Sequence, residues 1–231
     1  MTTTPASVIY PELPDPLTPG DLQRLFNPSF DERKWAPSVA RTPETQVVLL
    51  VHLKIFQTIG RFLPAADVPP AAVEYVARKM AIESEAALTC PIRTHYRHRQ
   101  AILSHLKVSA WGAEGRALAQ ATMCKTARAR TDPADIMNSA IDALIRHDFE
   151  LPPLATLRRL AGTWHSKTNT AQWAEVCGRL SSAQHAMLET LLVVDPKTQK
   201  SPFANLCATP GRPSRKMLIS RTNGASISDQ Y

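Results

Sequence analysis

The stretch that most constrains this fold is Thr42-Pro43-Glu44 followed by Val47, Val48, Leu50, Val51, Ile55, Phe56 and Ile59, and stopped near Gly60. Threonine offers an N-cap oxygen, proline at the first helical position has its φ already set, and glycine past the last turn accepts the left-handed backbone that ends a helix. A helix that is apolar over most of its circumference cannot lie on a surface, so the chain is expected to pack further helices around this central one. The same start signals recur. Thr18 with Pro19 and Asp21 opens a short helix to about Phe26, Asp132 precedes Pro133, and Ser181 with Gln184 three residues later makes a capping box. Further helices are expected at about residues 70–80, 92–107, 110–128, 133–147, 156–180 and 182–193, with a short basic one near 214–219.

Long alternating strand patterns are missing from the sequence. The expected fold class is therefore all-α: a multi-helix globular domain with a proline-rich N-terminal arm and a basic C-terminal linker. Residues 1–17, with Pro5, Pro11, Pro14 and Pro16, form the extended arm, and residues 18–194 form the helical domain. Leu151-Pro152-Pro153 is a rigid connector within it. At Asp195 the texture changes to Pro, Lys, Ser and Gly, so residues 195–213 are expected to be an exposed linker and the polar end after Arg221 to be disordered.

Apolar residues make up 44% of the 231 positions and charged residues 20%, which fits a globular chain rather than a disordered or fibrous one. The longest apolar run, 47–53, is broken by His52 and followed by Lys54, far short of the roughly 20 residues of a membrane span. The first ten residues have neither a basic residue nor a signal-like apolar stretch. Cys90, Cys124, Cys177 and Cys207 are scattered with no Cys-x-x-Cys pair, so free thiols in a reducing cytoplasm are expected.

Charge is strongly segregated. Residues 91–130 hold eight Lys and Arg against the single acid Glu114, equal to the whole chain's surplus of +7. Residues 196–221 hold six more with no acid, leaving the remainder at −6. Such segregation repels itself unless a polyanion neutralises it, and nucleic acid is the commonest polyanion in a cytoplasm.

The densest basic stretch is Ile92-Arg93-Thr94-His95-Tyr96-Arg97-His98-Arg99-Gln100. On a helical wheel, Ile92, Tyr96, Leu103 and Leu106 fall within about 80° and form an expected core stripe. Arg93, Arg97, Gln100 and Ser104 gather on an adjoining face. Forked guanidinium donors suit phosphate or guanine and an amide suits adenine, which makes Arg93, Tyr96, Arg97, His98 and Gln100 the candidate DNA contacts here. Arg99 lies inside the apolar stripe and is expected to be structural, paired with an acid from another helix. Cys90, His95, His98 and His105 match no common zinc spacing, so these histidines are expected to be partly exposed and no metal or cofactor is assigned. Pro210-Gly211-Arg212-Pro213-Ser214-Arg215-Lys216 is similar to the Gly-Arg-Pro core of minor-groove hooks, adding Arg212, Arg215 and Lys216 as candidate DNA contacts. No glycine-rich nucleotide loop, His-Glu-x-x-His zinc helix, nucleophile elbow or clustered carboxylates can be found, so a hydrolytic or metal enzyme ranks last.

Four stretches carry a family resemblance: Leu17-Thr18-Pro19-Gly20-Asp21-Leu22; Ile59-Gly60-Arg61-Phe62-Leu63; Arg93-Thr94-His95-Tyr96-Arg97-His98-Arg99; and Ser201-Pro202-Phe203-Ala204-Asn205-Leu206 leading into the Gly-Arg-Pro-Ser element. Over about residues 17–218 the chain resembles the N-terminal region of Tn-three family transposases, which move replicative bacterial transposons. The resemblance implies an all-helical domain that helps recognise terminal inverted repeats in double-stranded DNA, with a second DNA-binding domain starting beyond the linker. In that family the carboxylate triad for strand cleavage and joining lies in the C-terminal half of a much longer chain. This chain stops soon after Leu218, so it is expected to lack catalysis and to be either a truncated remnant or a free DNA-binding regulator in the cytoplasm, associated with the nucleoid and not with a membrane. The alternative is a helical protein-interaction module that pairs with intact transposase and inhibits it.

Overall fold

The computed structural model describes residues 7–82 and 92–207. Among them the chain is all-α, with ten helices and no strand: α1 (Pro19–Phe26), α2 (Phe30–Val39), α3 (Pro43–Ile59), α4 (Pro70–Lys79), α5 (Ile92–Leu106), α6 (Ala113–Ala129), α7 (Pro133–Arg146), α8 (Leu154–Gly178), α9 (Ser182–Thr190) and α10 (Pro202–Cys207). It divides into two compact units, Met1–Ala171 and Gln172–Tyr231, and the division falls inside α8.

The start signals act as their chemistry dictates. In α1, Thr18 accepts from the Asp21 amide while the Asp21 carboxylate accepts from the Thr18 amide, and α3 and α9 have the same reciprocal box at Thr42 with Thr45 and at Ser181 with Gln184. Gly60 ends α3 at φ 69°, in the left-handed region. The central helix is buried from Val47 through Phe56 without a break, which includes His52 and Lys54.

Helix α2 was not expected from the sequence. It begins with a further capping box, Ser29 with Glu32, and carries Pro37 inside. Glu32 also explains how a lysine survives in the core helix. Lys54 Nζ donates to its Oε1 at 2.8 Å, and Gln57 Nε2 donates to the same oxygen at 2.8 Å. Burial pushes the Glu32 carboxyl up, but the bonds from Lys54, the Ser29 amide and Gln57 outweigh it and hold the group below its ordinary value.

Unit Met1–Ala171 contains two apolar clusters. In the first, Phe26, Leu49, Leu50, Leu53, Ile55, Ile59, Val76 and Ile102 bring α1, α3, α4 and α5 together, and α2 adds Ala36. In the second, Met123, Ile136, Ile141, Leu144 and Leu157 join α6, α7 and α8. The connector after α7 links them: the Leu151 amide donates to the Gly60 carbonyl at 2.8 Å, and the Leu151 side chain lies where a Cβ on Gly60 would be only 3.3 Å away. From residue 7 on, the proline-rich arm has no helix before α1, and it is fastened down. The Ile9 amide donates to Asn138 Oδ1 at 2.8 Å, and the Tyr10 hydroxyl donates to the Pro152 carbonyl at 2.7 Å. Leu13 and Leu17 pack on the first cluster, and Val8 and Tyr10 on the second.

In unit Gln172–Tyr231, the segment expected to be an exposed linker contains the short helix α10. Pro202 begins it, the Ala204 amide donates to Ser201 Oγ at 3.1 Å, and the Phe203 amide donates to the Leu191 carbonyl at 3.0 Å. Proline at the first helical position and a preceding serine are ordinary helix-start chemistry, hidden in the sequence by the Pro, Lys and Ser composition around them. Among the described residues, no helix is long and apolar enough to cross a membrane.

Candidate nucleic-acid interface

Helix α5 packs on α3. Its inner surface is made by His98 and Ile102, both fully buried, and by Leu103 at 4% exposure. His98, Ile102 and Leu103 recur at helical spacing on one side of α5. Opposite them, Arg93, Tyr96, Arg97, Gln100 and Ser104 are exposed. On a wheel the cationic face is centred about 180° from the buried one, whereas the sequence suggested that the two adjoin.

The difference comes from two residues. Tyr96, expected in the core stripe, is 63% exposed, while His98, expected to be partly exposed and a DNA contact, is fully buried. Both side chains are amphipathic, and a neutral imidazole can occupy a core that a charged one cannot. His98 packs with both ring nitrogens unpartnered among the described residues. Its neighbours include His95, which meets His52 of α3 with ring centroids 5.0 Å apart. Burial, then Arg97 and His95, hold His98 down at about 4. Burial, then His95 and His98, do the same for His52. In this arrangement His98 offers no surface to DNA.

Arg99 has the partner its position requires. Its guanidinium pairs with Glu150 and lies 5.6 Å from the centroid of Phe62. The acid is on the connector after α7, not on a helix as expected, and it also accepts from the Trp111 amide at 3.0 Å. Near the far end of α5, His105 stacks on Trp35 of α2 with centroids 4.2 Å apart. These contacts hold the inner side of α5 in place and leave Arg93, Tyr96, Arg97 and Gln100 facing outward together. Arg212, Arg215, Lys216 and Cys90 lie outside the described residues. Among the described residues, no group of three or more His, Cys, Asp or Glu is placed to hold a metal ion.

The sequence profile of the family described as Domain of unknown function (DUF4158) matches residues 7–164. This chain belongs to that family. No match is found among curated proteins. The DUF4158 region takes in the fastened arm, both apolar clusters and the whole of α5, so the outward cationic face lies within the family's domain.

Proposed function

We propose that this DUF4158 chain binds double-stranded DNA without catalytic activity of its own, as the N-terminal module of a Tn-three family transposase that recognises terminal inverted repeats. The observation that carries the reading is the outward face of α5. Arg93 and Arg97 stand beside Gln100 and the exposed ring of Tyr96, with no carboxylate paired to either arginine among the described residues, on a helix whose opposite side is anchored in the core. Two free guanidinium forks match phosphate or guanine, an amide matches adenine, and an aromatic ring packs on sugar or thymine methyl. A rigid helix is also the element that fits a major groove.

The test is a titration of the full chain into labelled duplexes carrying the DNA that flanks its gene, with shuffled duplexes of equal composition as comparison. Tighter binding to flanking repeats supports end recognition, and absence of binding to either at low salt contradicts the DNA reading.

A second reading, association with intact transposase, is favoured by a different observation. Unit Gln172–Tyr231 exposes Trp173, Val176, Met187, Leu188 and Leu192. Isolated exposed apolar residues are ordinary, but so many in so short a unit suit a protein partner, and salt-insensitive association with transposase would favour that role.

A further inference from the structure

We infer that α8 carries a second DNA contact surface, which reaches phosphates on both edges of a major groove through Arg158 and Arg159 at one end and Lys167 at the other. The inference rests on the DNA reading above and extends it to residues that the basic-segment argument does not touch.

Between Glu150 and Glu175 the chain has no acidic residue, yet it has Arg158, Arg159 and Lys167. All three are exposed, and none has a carboxylate partner among the described residues. The buried residues of this part of the helix, Leu157, Ala161 and Thr168, lie on one side. Arg159, Thr163, Ser166 and Thr170 fall within about 60° of one another on the side facing directly away from them. Lys167 borders this stripe and Arg158 stands on the opposite flank.

Two features make the surface fit a duplex rather than a scattered anion. First, Arg159 and Lys167 are eight residues apart, about 12 Å along the axis, which is close to the width of the major groove. Second, the stretch between them has a low profile. Gly162 has nothing within 4 Å of the position a Cβ would take, and the Thr163 hydroxyl bends back to the Arg159 carbonyl at 2.9 Å. The helix surface can therefore come close to a groove while longer side chains at each end reach the phosphates. Lys167 is steadied for this, because its Nζ sits 5.2 Å from the Trp164 ring centroid.

The experiment measures how affinity for one duplex changes with salt in the full chain, since each phosphate contact adds about 0.9 to the slope of log affinity against log salt. Four proteins are compared: wild type; the triple variant Arg158→Gln, Arg159→Gln, Lys167→Gln; the pair Thr163→Glu, Ser166→Glu, which puts acids in the middle of the stripe with good helix formers; and a charge-matched control, Arg33→Gln, Lys34→Gln, Arg41→Gln. The expected result is a slope lower by about 2 to 3 in the triple variant, binding weakened at least tenfold in the Glu pair, and a control that follows wild type. A triple variant or a Glu pair that binds like wild type overturns the inference and leaves the α5 face standing. Equal losses in the triple variant and the control also overturn it, because only overall charge is then at work. Wild type failing to bind at low salt removes the DNA reading and this surface with it.

Discussion

Arg99 on α5 and Glu150 on the connector after α7 form an ion pair that joins a helix of the first apolar cluster to the chain entering the second. Glu150 is 7% exposed and has the Trp111 amide as its other hydrogen-bond donor. Removing the guanidinium strands a nearly buried carboxylate, which costs more than the pair itself contributes. Arg99→Ala should lower stability by about 2–3 kcal/mol, and adding Glu150→Gln should recover part of the loss, because a neutral amide is cheaper to bury and still accepts from Trp111. Denaturant unfolding of the single and double variants checks this. A double variant less stable than Arg99→Ala would contradict it.

The histidines between α3 and α5 predict a stability that fails in acid. His52 and His98 are held at about 4 in the folded chain, below the ordinary 6.5, by burial first, and then by His95 and His98 for His52 and by Arg97 and His95 for His98. With folded values depressed, the unfolded chain takes up protons first. Stability is therefore intact above about pH 6.5 and falls as pH drops towards 4, by about 1–2 kcal/mol for each histidine at pH 5. Urea midpoints at pH 7 and pH 5 should differ less in His98→Leu than in wild type. An equal difference in both would show that His98 does not contribute to the acid sensitivity.

Gly60 should not tolerate a side chain. Its φ of 69° is strained for any L residue, and a Cβ would come within 3.3 Å of Leu151 Cδ1. Gly60→Ala is expected to cost about 1–2 kcal/mol, where alanine at Gly162, exposed and helical, should be neutral or stabilising. Paired thermal melts of the two variants decide it, and equal midpoints would contradict the role given to Gly60.

Much of this architecture is legible in short-range chemistry. Thr18, Thr42 and Ser181 each announce a helix within four residues, and Asp132 accepts from the Ala134 amide as an N-cap should. Helix α2 escaped although Ser29 and Glu32 give the same signal, because Pro37 reads as a breaker and the lysine that completes Glu32 lies 22 residues away. The α5 faces show the same division. The outward set Arg93, Arg97 and Gln100 follows from periodicity alone, but the fate of an amphipathic residue does not. His98 is buried because α3 presents an apolar wall with His52 in it, and Tyr96 is exposed because no element among the described residues covers its side of the helix. The partner of Arg99 could be expected in kind, while its location on a connector depends on how two clusters meet.

The outward face of α5 is tested most directly by fluorescence anisotropy of a labelled duplex, titrated with wild type and with Arg93→Ala, Arg97→Ala at salt concentrations from about 50 to about 200 mM. Both arginines are exposed, so the double variant should unfold within about 1 kcal/mol of wild type. Wild-type affinity should fall steeply with salt, and the variant should bind more weakly, with a slope lower by about 2. Superimposable salt dependences for the two proteins, or no binding by wild type at the lowest salt, would contradict it.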